Sequence, residues 1–159
     1  MGVMGKIRAT RGQKGFTLVE LAIVIVIIGV LASFGVPRFR DAVERSKAGE
    51  SLNYLSAVRA AQERYHAREG TYASDIPDLD VSIPAPKYFS VGTIAAGSTD
   101  DIESSWTLTL TRVGASAGYG AYTVAFTELG FDADNSTLND LPQINPISTQ
   151  AAEAPEEES

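Results

Sequence analysis

A chain of 159 residues with no cysteine and a net charge of −7 has room for one compact domain, but none for a disulfide framework, a thiolate metal centre or a cysteine nucleophile. The charge is segregated: the first fifteen residues carry Lys6, Arg8, Arg11 and Lys14 and no acid, leaving nine basic against twenty acidic side chains in the remainder. A body that acidic repels polyphosphate, so nucleic acid is not an expected partner.

Residues 1–15 read as a basic leader. Residues 16–36 follow as an apolar run with one charge, Glu20. As a helix that run measures about 31 Å, close to the hydrocarbon thickness of a bilayer. Its many β-branched residues do not oppose a helix there, because lipid offers backbone groups no other partner. Basic residues before the span place the N-terminus in the cytoplasm and the remainder in the periplasm. An ordinary secretory signal is cut after its apolar region, at small residues. Here Gly15-Phe16 stands before the apolar region.

Residues 37–70 predict the amphipathic continuation of the same helix. Ala48, Leu52, Leu55, Val58, Ala61 and Tyr65 step by three or four and form one apolar stripe. Pro37 predicts a kink or local loosening, and Gly70 a stop.

Residues 71–148 predict a small head. Strands are expected over 88–94, 106–113 and 119–129. In the second of these, Trp106, Leu108, Leu110 and Arg112 alternate with threonines, as suits a strand with one buried face. Gly114 to Gly118 reads as a hairpin turn. The chain after Leu129 is expected to be loop, and residues 149–159 a disordered acidic tail. The fold class is α+β: a long N-terminal helix, half in the membrane and half packed on a small antiparallel sheet.

Lys14-Gly15-Phe16-Thr17-Leu18-Val19-Glu20, with Pro37 closing the apolar run, resembles the processing site of type IV prepilins and of their type II secretion pseudopilin relatives. Gly70-Thr71-Tyr72 after the long helix fits the same architecture. The resemblance implies that a membrane prepilin peptidase cuts after Gly15 and N-methylates Phe16. It implies an inner-membrane subunit, held first in the lipid bilayer, that an inner-membrane assembly platform adds to a helical homo-oligomeric filament.

Each residue has a physical role in that scheme. Glycine leaves the backbone bare for a protease. A carboxylate in an apolar segment calls for a partner. Cleavage creates an α-amine at Phe16, about 6 Å along the helix from Glu20, so an axially offset neighbour can bring its own Phe16 amine to this Glu20. The competing reading is a carboxylate that snorkels to the interface. Gly29, Gly35 and Pro37 fit either a soft section of helix or close helix packing.

Asp132, Asp134 and Ser136 alternate as in a calcium loop, and Asp132, Asp134 and Asp140 are the candidate calcium ligands. The EF-hand glycine and distal glutamate are absent, so a solvated turn competes. His66, the sole histidine, reads as a surface or cap residue. No nucleophile–base pair is present, so the chain is not expected to be an enzyme. The function expected is a structural filament subunit. Absent cysteines and compact size lean toward a secretion pseudopilin, and a pilin of adhesion or motility stands beside it. The alternative class is a monomeric membrane-anchored protein whose exported domain binds a ligand.

Overall fold

The computed structural model describes residues 15–114 and 118–148. The leader through Lys14 and the acidic tail lie outside the described residues. The chain divides into two units, residues 1–38 and 39–159.

In the first unit, every described residue is exposed. Leu18, Val19 and Phe34 are 85, 67 and 72% bare. These residues open helix α1 (Leu18–Glu69), which is long and apolar enough to cross a membrane. Ser33 is satisfied locally, its Oγ donating to the Val30 carbonyl at 2.7 Å. The helix continues through Pro37; the missing N–H deletes one backbone bond without ending the element.

In the second unit the predicted stripe is the buried one. Ala48, Leu52, Leu55, Val58 and Ala61 are buried and Tyr65 packs at their edge. Gln62 joins them by exchanging two hydrogen bonds with the backbone of Ala73, at 2.9 and 2.8 Å. The helix stops because Gly70 adopts φ 76°, and its N–H caps the His66 carbonyl at 2.9 Å.

The sheet comprises β1 (Phe89–Val91), β2 (Ala95–Ala96), β3 (Trp106–Arg112), β4 (Thr123–Thr127) and β5 (Gly130–Asp132). The order is β1-β3-β4-β5, with β2 also on β3 and every pairing antiparallel. Trp106, Leu108, Leu110 and Arg112 are buried while the threonines between them are half-buried, as the alternation requires. Leu108 faces Phe126 across the β3–β4 ladder and Leu110 faces Val124. All four apolar partners share one core with the α1 stripe. Trp106 is wholly buried, and its Nε1 is the one buried side-chain polar atom without a partner among the described residues.

Three expectations need correction. The strand expected over 88–94 is strand only at Phe89–Val91, and the separate two-residue β2 follows at Ala95–Ala96; between them Gly92 donates its N–H to the Thr109 carbonyl at 3.0 Å and lies so close to β3 that a Cβ would sit 2.7 Å from that oxygen. The strand expected from 119 begins at Thr123. The chain beyond Leu129 is not loop throughout: β5 pairs back on β4 after a two-residue turn, Glu128-Leu129, with Gly130 at φ 114° and Phe131 opposite Phe126. In the expected hairpin turn, Gly114 and Gly118 adopt φ 63° and 107°, and residues 115–117 lie outside the described residues.

Candidate processing and assembly site

Gly15, Phe16 and Thr17 precede the first helical residue. Among the described residues nothing lies within 4 Å of where a Gly15 Cβ would stand, and Phe16 is 78% exposed.

Thr17 caps the helix. Its hydroxyl accepts the Glu20 N–H at 3.2 Å. Glu20 Oε2 in turn accepts the Thr17 N–H at 2.9 Å and the Thr17 hydroxyl at 2.8 Å. This is a capping box, in which residues at N-cap and N3 satisfy each other's backbone donors at the end where a helix leaves them orphaned. The sequence reading of Glu20 looked to a neighbouring chain and missed this internal partner. The signal was present: Thr17-Leu18-Val19-Glu20 is the Thr-x-x-Glu spacing of a capping box. Gly29, Gly35 and Pro37 lie on the exposed part of α1, and a Cβ at either glycine would meet nothing within 4 Å.

A second polar centre lies where α1 enters the head. Glu44 is buried, and so is Arg112 at the end of β3. Arg112 Nε donates to Glu44 Oε1 and Nη2 to Oε2, the latter at 3.2 Å. The Tyr122 hydroxyl donates to Glu44 Oε1 at 3.2 Å and Lys47 Nζ lies 3.1 Å from Oε2. Arg112 Nη1 also donates to the carbonyls of Tyr88 and Val113. One turn earlier, the Tyr119 hydroxyl donates to Asp41 Oδ1.

Burial works to raise the Glu44 pKa, but the hydrogen bonds and charges of Arg112 and Lys47 outweigh it and hold the carboxyl below its ordinary value. The Tyr119 hydroxyl is pushed up to about 12, chiefly by its hydrogen bond to Asp41. Burial, then the Glu44 charge, raises Tyr122 further. The sequence reading passed over Glu44 and gave Arg112 no partner. Position alone could have found them: Glu44 stands four residues before Ala48 on the buried stripe, and Arg112 two after Leu110 on the buried face of β3.

The Asp132 loop is tied internally. Asp132 Oδ1 accepts the N–H groups of Asp134 and Asn135, each at 3.2 Å, and Oδ2 accepts Asn135 Nδ2 at 2.7 Å. This is an Asx turn. Among the described residues no three His, Cys, Asp or Glu side chains converge as a metal site, so Asp132, Asp134 and Asp140 are not gathered into one. His66 lies in the last turn of α1, its ring stacked on Tyr72 at 4.4 Å and its Nε2 3.2 Å from the Glu103 carbonyl oxygen.

The family model of the prokaryotic N-terminal methylation motif matches residues 10–36, which contain Gly15, Phe16 and Glu20. Fimbrial protein EcpC of Eikenella corrodens is 32% identical over 114 residues, 71% of this chain and 72% of that protein. The chain belongs to the type IV pilin family. The type IV major pilin protein PilE1 of Neisseria gonorrhoeae is 35% identical over 89 residues, spanning 54% of this chain and 41% of PilE1. The type IV major fimbrial protein FimA of Dichelobacter nodosus is 47% identical over 47 residues, 30% of this chain and 29% of FimA. As a pilin the chain is a structural subunit and not an enzyme. A pilin's apolar N-terminal helix fits membrane anchoring followed by assembly.

Proposed function

We propose that this pilin is cut after Gly15 by a prepilin peptidase, N-methylated at Phe16, and polymerised through residues 16–36 into a surface pilus. Before assembly those residues hold it in the inner membrane, with the N-terminus cytoplasmic and the head periplasmic. One observation carries the reading. The apolar part of α1, exposed at every residue up to Arg40, bears a single carboxylate in its first turn, inside the stretch that the methylation motif matches.

Such a helix needs lipid or other copies of itself around it. Glu20 is held by Thr17 within one chain, and after cleavage it gains a charged partner in the Phe16 amine of an offset neighbour. Two charges brought together in an apolar core cancel, whereas either alone disfavours assembly by several kcal/mol. The choice of a surface pilus in this reading is taken from the fimbrial and pilin names of the relatives.

Electron microscopy of cells expressing this chain tests the proposal. Filaments that incorporate the chain are expected outside the cell, and Glu20→Ala should abolish them. A tagged Glu20→Ala chain mixed with the parent should enter filaments at a reduced level, because parent neighbours restore one of its two lost contacts. Full filaments from Glu20→Ala alone would refute the pairing. Fibres confined to the periplasm, with loss of exported proteins on deletion, would instead identify a secretion pseudopilin.

A further inference from the structure

The two ends of the head differ in charge. Arg40, Arg45, Lys47, Lys87 and Arg112 gather where α1 enters it, with only Asp41, Glu44 and Glu50 among them. The rest of the described head carries three basic residues, Arg59, Arg64 and Arg68, against twelve acidic ones. The acids of the basic end are engaged. Asp41 accepts the Tyr119 hydroxyl, Glu44 holds Arg112 and Lys47, and Glu50 Oε1 accepts the Lys87 N–H at 3.2 Å. Arg40 and Lys87 form no ion pair among the described residues. Lys47 and Lys87 reach the Tyr88 ring from 4.9 and 5.7 Å. Phe39, Val43, Tyr88 and Val113 are exposed at the same end. Phe39, Val43 and Lys47 step by four along one side of α1, and Arg40 joins them around a hollow of about 100 Å³. Cations set among exposed aromatic and apolar side chains suit the headgroup layer of a membrane, which takes both.

We propose that Phe39, Arg40, Val43, Lys47, Lys87 and Tyr88 form a docking surface for anionic phospholipid, in the leaflet from which α1 emerges before assembly. The inference rests on the membrane-anchored stage proposed above. Phe39 follows Val36, the last residue of the apolar run, by three positions, which is about 5 Å along a helix. A headgroup layer is about 5–7 Å deep on each side of the hydrocarbon, so Phe39 and Arg40 fall inside it. Lys47 follows at about 16 Å from Val36, near enough for its long side chain and the lipid charge to act on each other. Basic residues just beyond a span, on the side opposite a basic leader, oppose the charge bias that orients it. Anionic headgroups on that side give those charges a partner that the engaged acids of the head do not. The exposed Phe39 and Val43, next to the span, favour lipid over the acidic surface of a second copy.

Amine-reactive labelling read by mass spectrometry tests this on the full chain. The chain is compared in nanodiscs of phosphatidylcholine alone and in nanodiscs of phosphatidylcholine mixed with phosphatidylglycerol. Lys47 and Lys87 should react at least about threefold more slowly with phosphatidylglycerol present, and molar salt should erase the difference. Phe39→Ser with Arg40→Gln, both at exposed positions outside the core, should return Lys87 to its phosphatidylcholine rate, with circular dichroism showing the head still folded. Equal rates in the two discs would overturn the proposal, as would protection that salt leaves intact or that the double variant keeps. Protection that appears only in filaments would assign the surface to a second copy and overturn it too. A chain that does not enter the discs would sink the membrane anchoring proposed above, and the same labelling against vesicles of the two compositions then judges the surface by itself.

Discussion

Arg112 and Glu44 stand 68 residues apart in sequence, and their side chains meet inside the head through two parallel N–H···O bonds, Nε to Oε1 and Nη2 to Oε2. The fork of a guanidinium matches a carboxylate in this way, giving direction as well as attraction. The pair pins the end of β3 to α1 outside the apolar core. Removing one member strands a buried charge. Glu44→Ala and Arg112→Ala are each expected to lower head stability by about 3–5 kcal/mol. Replacing both, as Glu44→Gln with Arg112→Met, should cost clearly less than the two single losses combined. Denaturant titration of all three variants checks this.

The same cluster sets the pH range of the head. Glu44 titrates lower folded than unfolded, so its contribution is present above the ordinary carboxylate range and is lost as acid carries the pH down through its folded value. Tyr119 behaves oppositely. Its pKa is raised to about 12, so its contribution is complete below the ordinary tyrosine value of about 10 and is lost as the pH climbs toward 12. Melting temperature against pH should therefore fall at both ends. Tyr119→Phe should make the alkaline arm shallower without removing it, since Tyr122 is raised as well, and should leave the acid arm in place.

Thr17 is expected to matter before assembly. Thr17→Val removes the hydroxyl that caps the Glu20 N–H and half of the donors to Glu20 Oε2. Loss of such a cap costs about 1 kcal/mol. Cleavage after Gly15 should proceed normally, while residues 17–21 exchange their amides faster in micelles. Thr17→Ser, which keeps the hydroxyl, should restore protection.

Gly15→Glu should block leader removal, because a charged side chain then occupies the open space beside the scissile bond. Intact mass of the purified chain distinguishes the two forms. A species beginning at Phe16 would contradict the assignment.

At Asp132, three hydrogen bonds from Asp134 and Asn135 already engage the carboxylate. Asp132→Ala should lower the melting temperature by the few degrees that about 1 kcal/mol represents in a head of this size. If calcium binds Asp132, Asp134 and Asp140, millimolar calcium will raise the melting temperature of the parent and not that of Asp132→Ala. An equal response from both would leave the loop as a turn.

How far the sequence could be read depended on the range of each interaction. The α1 stripe and the Trp106–Arg112 alternation are periodic, and period alone identifies them. Gly70 announced the helix end because a positive φ favours glycine. The β4–β5 turn was hidden because Glu128-Leu129 lacks the Asn-Gly signature of a two-residue hairpin. The Glu44–Arg112 pair was legible only in part: position on the stripe and on β3 marks each as buried, but that they meet follows only when β3 is laid beside α1, and no local pattern encodes that placement. At the first turn of α1 the cap is local, and the Thr17-x-x-Glu20 spacing encodes it directly.

Trp106 is the only tryptophan in the chain, and it is fully enclosed, with no hydrogen-bond partner for its indole nitrogen among the described residues. The one indole thus stands at the start of β3, and the 52 residues of α1 hold none, so excitation selective for tryptophan reports on the head. Its emission should be blue while the head is folded and move to the red when water reaches the ring. The optical signal will follow the head alone, in membranes, micelles or fibres, whatever the apolar helix is doing.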